Sequence, residues 1–357
     1  MAEDIYATDK VLFHPDKLAE MRAGKQCYPV QIHLMPHNAC CHSCSFCAYR
    51  LFGNKNTELF NTEDFIPWPV MEKIIEDFQD MGGKAIEITG GGEPLMYRHF
   101  EEMAMKIIAR DFDYSLVSNG VLLTEKMAQL VAPKMTWARI SVDAGTPKTY
   151  AEIRACPEQH FYRAIKAVEY LKKYAENKQF RLGVGFVVTN ENYQEIYLLC
   201  KRAQEAGADN VRISACFHPD GMAYFTNDTI EHGKEDAAKA AQLLNSDTFH
   251  VYNLFDERIS NIQAAKQDYV FCGTKELLCV IGGDCNAYLC CSLAFNHRGL
   301  VGGVKDGFKK LWDSRTKADH FSSFDASKRC PHMCLYEKRN KTINNLLRTD
   351  VPHINFI

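Results

Sequence analysis

The chain has 357 residues, of which 46% are hydrophobic and 24% are charged. This composition is that of a folded globular protein and excludes a disordered or collagen-like chain. Because 42 basic residues face 45 acidic ones, for a net charge of −3, no basic excess directs the surface to nucleic acid or anionic lipid. The sequence shows no apolar run of about 18 residues and no secretory signal, so we expect a cytoplasmic protein without a membrane span.

Strand-like and helix-like segments alternate along the first two thirds of the chain. In chain order we predict a strand at 28–34, a helix at 69–81, strands at 85–89, 116–118 and 138–143, a helix at 162–174, a strand at 182–189, a helix at 193–206 and a strand at 211–215. This alternation predicts βαβ units and a parallel sheet or barrel. In such folds, functional groups gather at the carboxyl ends of the strands.

The alternation fades after about residue 250, where cysteines become frequent. We therefore predict three parts: an N-terminal extension over 1–27, an α/β domain over 28–250 and a cysteine-rich domain over 251–357. The chain has 15 cysteines, and without an export signal they favour metal binding or reactive thiols over a disulfide scaffold.

The first cysteine group can be interpreted with two spacings. Cys41, Cys44 and Cys47 form C-x2-C-x2-C, the start of a ferredoxin run, but the fourth cysteine of that run is replaced by Leu51. Cys40, Cys44 and Cys47 form C-x3-C-x2-C, whose three thiolates can hold three irons of a 4Fe–4S cluster and leave the fourth iron open. A structural zinc site with ligands from several segments is the alternative.

The second spacing resembles the cluster motif of the radical S-adenosylmethionine (radical SAM) family. In that family an aromatic residue precedes the last cysteine and lies near the adenine, and here that residue is Phe46. The family's second hallmark is a Gly-Gly-Glu-Pro segment after the second strand, matched here by Gly91, Gly92, Glu93 and Pro94. Glycines allow close approach of the backbone, and carbonyl and carboxylate oxygens can accept the hydrogens of the methionine amino group.

Further matches extend the resemblance over residues 28–220. Ser118 and Asn119 resemble the polar strand-end segment near the ribose and carboxylate of SAM, and Ser141 is a ribose contact in the same comparison. Arg154 falls where many members place an arginine on the SAM carboxylate, which suits its fork of donors. The resemblance implies a partial (β/α)6 barrel.

The second cysteine group resembles the auxiliary-cluster extension called SPASM, or its shorter form, twitch. In this pattern Cys272, Cys290, Cys330 and Cys334 are the four ligands of one auxiliary 4Fe–4S cluster in a small α+β domain. Cys285 departs from the pattern, because it stands where the hairpin turn usually has glycine. A zinc-stabilised tail is the alternative.

The sequence does not decide which of the other C-terminal cysteines are ligands of the auxiliary cluster. Cys279, Cys285 and Cys291 are further candidates. The extended SPASM form carries more cysteines after the hairpin, but residues 292–329 contain none, which favours a single auxiliary cluster.

The resemblance implies reductive cleavage of SAM. An external one-electron donor of the flavodoxin or ferredoxin type reduces the first cluster, and a 5′-deoxyadenosyl radical then removes a hydrogen atom from the substrate. The auxiliary cluster assists the oxidation or binds substrate. The protein supplies orientation and excludes water.

Two features of the sequence bear on the substrate. At most 27 residues precede the first predicted strand, too few for a leader-peptide-binding domain, which favours a small polar molecule such as a sugar, aminocyclitol or nucleotide derivative. Arg212, His218 and Asp220 are candidate catalytic residues that follow or end a late strand. Alternatives are a radical SAM enzyme that modifies a peptide or protein and, in another class, an electron carrier or zinc-bound interaction protein.

Overall fold

The computed structural model describes residues 6–50, 57–264, 267–330 and 334–350. The strands of these ranges are β1 Gln31–Leu34, β2 Ala85–Ile88, β3 Asp113–Ser118, β4 Trp137–Ser141, β5 Arg181–Val188, β6 Asn210–Ala215, β7 His250–Asn253, β8 Leu278–Ile281, β9 Asn286–Tyr288 and β10 Leu300–Gly303. The helices are α1 Pro15–Arg22, α2 Trp68–Asp80, α3 Phe100–Ala109, α4 Glu125–Val131, α5 Pro147–Arg154, α6 Gln159–Tyr174, α7 Ile196–Glu205, α8 Asn227–Leu244, α9 Phe255–Ala264, α10 Thr274–Leu277, α11 Phe308–Trp312, α12 Arg315–Ser322, α13 Ala326–Arg329 and α14 Glu337–Leu347. Among these helices, none is long and apolar enough to cross a membrane.

All described strands belong to one sheet in the order β10-β9-β8-β1-β2-β3-β4-β5-β6-β7. Strands β1 to β7 are parallel and lie in chain order, and helices connect each strand to the next. Strand β8 adds to the other side of β1 in parallel, while β9 and β10 follow as antiparallel neighbours. The fold is therefore a partial (β/α)6 barrel with a C-terminal α+β extension.

The predicted elements are confirmed with shifted ends. The helix predicted at 69–81 is α2, and the strand predicted at 182–189 is β5. The strand predicted at 28–34 begins only at Gln31, because Pro29 has no amide hydrogen to donate to a neighbouring strand. The hydroxyl of Tyr28 donates to Asp313 at 2.7 Å. The helix predicted at 193–206 opens with a short 3-10 turn before α7.

The sheet continues beyond residue 250. Strands β7 and β8 both join the sheet of the first two thirds of the chain, so the sheet extends across the predicted boundary. The division into three parts stays a prediction. The expected hairpin of the cysteine-rich part is present as β8 and β9, and Cys285 in its turn has φ +60°, the conformation that favours the glycine usual at this position.

The two faces of the sheet carry different side chains. On β5, Leu182, Val184 and Phe186 are buried in the apolar core that contains the helices. The alternating positions Gly183 and Gly185 lie on the opposite face, which is the inner wall of the barrel. This period of two separates a packed outer layer from an inner wall with room for ligands.

Candidate functional site

The first cysteine group lies on the loop that follows β1, at the carboxyl edge of the sheet. This loop is fastened to the end of α5, because the amides of Ser43 and Ser45 donate to the carbonyl oxygens of Arg154 and Ile153 at 3.0 and 2.9 Å. Arg50 fastens its other side by donating from Nη2 to the Asn38 carbonyl oxygen at 2.8 Å. The loop is therefore held mainly through its backbone groups, by α5 on one side and by the side chain of Arg50 on the other.

Three thiols of this loop lie within electrostatic range of one another. Burial raises the pKa of Cys44 to about 12; among the smaller effects, Arg154 lowers it and Cys47 and Cys40 raise it. The hydrogen bond from the thiol of Cys41 lowers the pKa of Cys40 to about 6, against the effect of burial, and Arg154 lowers it further. Thiolates are the usual ligands of iron–sulfur clusters, so these three thiols fit such a group.

Cys41 faces a different part of the site. Asn119 donates from Nδ2 to Sγ of Cys41 at 3.3 Å, and the interaction with Cys40 together with burial raises the pKa of Cys41. Cys41 therefore has two polar neighbours, Cys40 on its own loop and Asn119 on the loop after β3. The choice of Cys40, Cys44 and Cys47 as the cluster ligands stays a prediction.

Gly91 and Gly92, which follow β2, pass so close to the cysteine loop that no side chain fits at either position. A Cβ atom on Gly92 would lie 1.9 Å from the carbonyl oxygen of Ala39, and one on Gly91 would lie 2.5 Å from Oδ1 of Asn38. The backbones also pair, since the amide of Glu93 donates to the Ala39 carbonyl oxygen at 2.8 Å. Any side chain at these two positions would push the glycine segment away from the cysteine loop.

Glu93 ties the segments after β2 and β3 together. Its carboxylate accepts hydrogen bonds from the hydroxyl of Ser118 at 2.6 Å and from the amides of Asn119 at 2.8 Å and Leu95 at 3.1 Å. Burial nonetheless raises the pKa of Glu93 to about 7. Ser118 in turn accepts from the amide of Gly120 at 2.8 Å. The side-chain oxygens of Glu93 and Ser118 therefore form hydrogen bonds within the protein. Pro94 is the first residue of the short 3-10 turn that follows.

Arg154 lies beside the cysteine loop in an ion pair with Asp143 that is sealed from solvent, with 3% and 1% of the two residues exposed. The Arg154 Nε donates to the carbonyl oxygen of Val142 at 3.2 Å, and its Nη1 lies 3.8 Å from Sγ of Cys44. The guanidinium also lies 5.9 Å from the ring of Phe46. The guanidinium of the pair lowers the pKa of Cys44, while the carboxylate of Asp143 raises it.

Two residues that the sequence analysis did not select belong to this site. Asp143 is one, and a carboxylate at the end of a predicted strand, eleven positions before an arginine, was an available signal. Tyr49, two positions after Cys47, is the other. Burial raises the pKa of Tyr49 well above its usual value, and the thiolates of Cys291, Cys47 and Cys290 add to this effect. Tyr49 therefore lies within electrostatic range of cysteines from both groups.

The remaining candidates are spread along the barrel. Ser141 and Arg212 share a register level of the sheet, each opposite Gly185 of β5. His218 lies in the loop after β6, stacks on the ring of Tyr224 at 4.2 Å, and has Nδ1 3.5 Å from a carboxylate oxygen of Asp220. The side chain of Asp220 is 68% exposed. The roles of these residues stay predictions.

Four thiols of the second group also come together. The pKa of Cys290 is raised well above its usual value by burial and by the nearby thiols of Cys291, Cys334, Cys272 and Cys330. Asn340 lies between two of these cysteines, with Oδ1 3.6 Å from Sγ of Cys272 and Nδ2 3.9 Å from Sγ of Cys334. Four such thiols fit a fully ligated auxiliary cluster.

The three further candidates have different surroundings. Cys279 lies on β8 in register with Ile32, inside the apolar core. Cys285 lies in the hairpin turn. Cys291 is adjacent to the four-thiol set, but its Sγ lies 3.2 Å from the hydroxyl of Tyr336. Cys291 thus lies nearer the four-thiol set than Cys279 does, and the assignment of Cys272, Cys290, Cys330 and Cys334 as ligands stays a prediction.

Comparison with known proteins identifies the family. The sequence profile of the Radical SAM superfamily matches residues 34–213, about half of the chain. The chain belongs to this superfamily, and it accordingly takes S-adenosylmethionine and a 4Fe–4S cluster as cofactors. The family interpreted from the cysteine spacing and the Gly-Gly-Glu-Pro segment is thereby confirmed, and the cysteine-rich C-terminal region is consistent with a SPASM-type domain.

Characterised relatives are distant. Mycofactocin maturase MftC of Mycolicibacterium smegmatis is 25% identical over 253 residues, which cover 67% of this chain and 60% of the relative. GTP 3′,8-cyclase of Vibrio parahaemolyticus is 23% identical over 143 residues, which cover 39% of this chain and 40% of the relative. The chain thus matches less than two thirds of the length of either relative.

Solved structures show the same fold over most of the chain. Streptococcus suis SuiB bound to S-adenosylmethionine has a TM-score of 0.64 at 14% identity, with 92% of this chain and 78% of SuiB covered. The native protein anSMEcpe with bound AdoMet has a TM-score of 0.62 at 15% identity, with 89% of this chain and 99% of that chain covered. At this level of identity, the likeness establishes the architecture of the barrel and its extension.

Proposed function

We propose that this radical SAM enzyme reductively cleaves S-adenosylmethionine and abstracts a hydrogen atom from a small polar substrate, a sugar, aminocyclitol or nucleotide derivative. The observation that carries the proposal is the convergence of the thiols of Cys40, Cys44 and Cys47 on one loop at the carboxyl edge of the barrel. When bound there, the cluster and SAM supply the 5′-deoxyadenosyl radical. An external one-electron donor of the flavodoxin or ferredoxin type provides the reducing electron.

The residues around this loop bind and orient the cofactor in the proposal. The proposed SAM-contacting set comprises Phe46, Gly91, Gly92, Glu93, Pro94, Ser118, Asn119, Ser141 and Arg154. Since the carboxylate of Glu93 already accepts three hydrogen bonds, its proposed part is to hold the strand-end segments in place while nearby backbone carbonyl groups face the cofactor. The charge of Arg154, 3.8 Å from Sγ of Cys44, stabilises the thiolate form.

We further propose that Cys272, Cys290, Cys330 and Cys334 hold one auxiliary 4Fe–4S cluster, which assists substrate oxidation or binding. Tyr49 supports this, because cysteines of both groups lie within electrostatic range of its hydroxyl. Arg212 on the inner wall and His218 and Asp220 after β6 are the proposed substrate and acid–base residues. Arg212 contributes a positive charge, while the other two supply a proton donor and acceptor.

Single substitutions in the cysteine loop test this function. In anaerobically reconstituted protein, Cys40→Ala, Cys44→Ala and Cys47→Ala are each expected to abolish formation of 5′-deoxyadenosine and to remove about four irons per chain. Cys41→Ala is the matched control and is expected to keep both. Cleavage of SAM that survives loss of any of the three would overturn the proposal, and stoichiometric zinc in place of iron would establish the zinc alternative.

A peptide or protein substrate is the second candidate. It is favoured by the resemblance to SuiB, which has been solved with its precursor peptide SuiA at a TM-score of 0.63, and to a maturase. The two functions differ in the product, so mass spectrometry decides between them. Incubation with a small peptide encoded beside the gene would give a mass shift in the peptide, whereas a small-molecule enzyme would leave it unchanged.

A further inference from the structure

The inner wall of the barrel carries charged side chains at neighbouring register positions. His33 of β1 lies opposite Glu87 of β2, with 3.3 Å between Nε2 and the carboxylate, and burial lowers the pKa of His33, which favours the neutral imidazole. On β4 and β6, Arg139 lies opposite Gly183 and Arg212 lies opposite Gly185. The wall therefore carries one carboxylate on β2 and two guanidinium groups on β4 and β6.

Strand β5 leaves a recess between these two arginines. Gly183 and Gly185 both lie on the inner wall, but the side chain of Asn210 covers Gly183, where an added Cβ atom would lie 2.7 Å from Asn210 Oδ1. A Cβ atom on Gly185 would lie 3.6 Å from Cδ of Arg139, so the stem of that arginine runs along this glycine. Arg212 lies opposite Gly185 on the next strand, so the two arginines border the bare backbone of Gly185.

Neither arginine of the recess forms an ion pair in the part of the chain that the structure describes. The Nε of Arg212 is buried without a hydrogen-bond partner, and its guanidinium lies 5.5 Å from the ring of Tyr6. Burial and the charges of Arg139 and Arg258 lower the pKa of Arg212 to about 10, against the opposing effects of Tyr6 and Glu87. An anion bound between the two guanidinium groups would offset their mutual repulsion.

We propose that Arg139 and Arg212 together bind an acidic group of the substrate, a phosphate or a carboxylate, in the recess over Gly185. Two guanidinium forks suit the planar or tetrahedral oxygens of such a group. Arg139 lies two residues before the end of β4, roughly 7 Å below the edge that carries the cysteine loop. The acidic group would thus be held inside the barrel while the rest of the substrate extends toward the cofactor.

This inference rests on the proposed function, because it names the substrate class of that same interior. Binding of model anions tests it independently of catalysis. Isothermal titration of the anaerobic holoenzyme with inorganic pyrophosphate represents a phosphoryl group, titration with succinate represents a carboxylate, and glycerol is the neutral probe. We expect one of the two anions to bind, glycerol not to bind, and the affinity to fall as KCl is raised.

Substitutions then locate the bound anion. Arg139→Gln and Arg212→Gln are each expected to weaken binding by about tenfold or more, whereas Arg212→Lys keeps part of it. Arg315→Gln is the matched control, because the Arg315 side chain is 93% exposed on α12. If Arg212→Gln does not fold, Arg139→Gln and Arg212→Lys still give the comparison. The inference is overturned if neither anion binds to the wild-type protein, or if both glutamine variants bind as the wild type does. SAM cleavage by that same wild-type sample separates this failure from a failure of the proposed function.

Discussion

Arg154 and Asp143 form an ion pair inside the protein, and the guanidinium of this pair also approaches Sγ of Cys44, at 3.8 Å. The carboxylate is held in turn, because the amide of Val187 donates to its Oδ1 at 2.7 Å. One fully desolvated pair thus joins β4, the end of α5, β5 and the cysteine loop. Such a pair is costly to break, since removing one partner leaves a buried charge.

Loss of this arginine is therefore expected to destabilise the fold as well as the cofactor site. Arg154→Met should lower the free energy of unfolding by about 3–5 kcal/mol, because the carboxylate of Asp143 remains buried without its partner. The double variant Asp143→Asn with Arg154→Met should recover part of that loss. Urea denaturation of the four proteins of this cycle measures the coupling. Strictly additive effects would show that the pair does not act as a unit.

The buried carboxyl of Glu93 predicts a pH dependence of stability. Burial raises its pKa from 4.5 to about 7, so folding takes up a proton between these values. The stabilisation from this proton uptake is fully present below pH 4.5 and is lost as the pH rises through 7. The free energy of unfolding of the wild type should therefore fall with pH in this window by at most about 1.4 kcal/mol per pH unit, and Glu93→Gln should remove this slope.

Denaturation curves recorded between pH 4.5 and 8 check this slope. Glu101→Gln is the control, because Glu101 is exposed on α3, and it should retain the slope of the wild type. Identical slopes for Glu93→Gln and the wild type would contradict the prediction.

A methyl group at Gly92 is expected to disturb the cofactor site. Its Cβ would lie 1.9 Å from the carbonyl oxygen of Ala39, so Gly92→Ala must move the glycine segment off the cysteine loop, at a cost of about 1–3 kcal/mol. We also expect weaker binding of SAM, measured by equilibrium dialysis. Gly303→Ala is the comparison, since the nearest atom to its Cβ would be Oδ1 of Asn286 at an ordinary 3.6 Å. Equal effects of the two substitutions would exclude a special role for the glycine after β2.

Iron content distinguishes the cysteines of the C-terminal region. Cys290→Ala and Cys334→Ala should each lower the bound iron by up to about four atoms per chain, because a four-thiol site loses a ligand. Cys279→Ala should keep the wild-type iron content, since Cys279 lies in the apolar core beside Ile32. Iron and sulfide analysis, with electron paramagnetic resonance of the reduced protein, makes the comparison. Iron lost only from the Cys279 variant would reverse the proposed assignment.

The cofactor chemistry was predictable from the sequence because its signals are local. The thiols of Cys40, Cys44 and Cys47 need only a short loop to meet, and the spacing of three residues within eight positions encodes that loop directly. The alternation of strands and helices was readable for the same reason, since a period of two or of 3.6 is a property of neighbouring residues. The outer faces of the strands followed from this period.

The long-range pairings were decided by the tertiary structure. No periodicity indicates that Asp143 meets Arg154, that β8 extends the sheet beside β1, or that Cys279 is withdrawn into the core while Cys290 joins its three companions. Likewise, Arg139 and Arg212 become neighbours only because β5 runs between their strands with glycine at both facing positions. The register between distant strands is set by the burial of whole faces, which is a collective property of the folded chain. The cofactor chemistry could therefore be predicted from the sequence, but the arrangement of the charges inside the barrel could not.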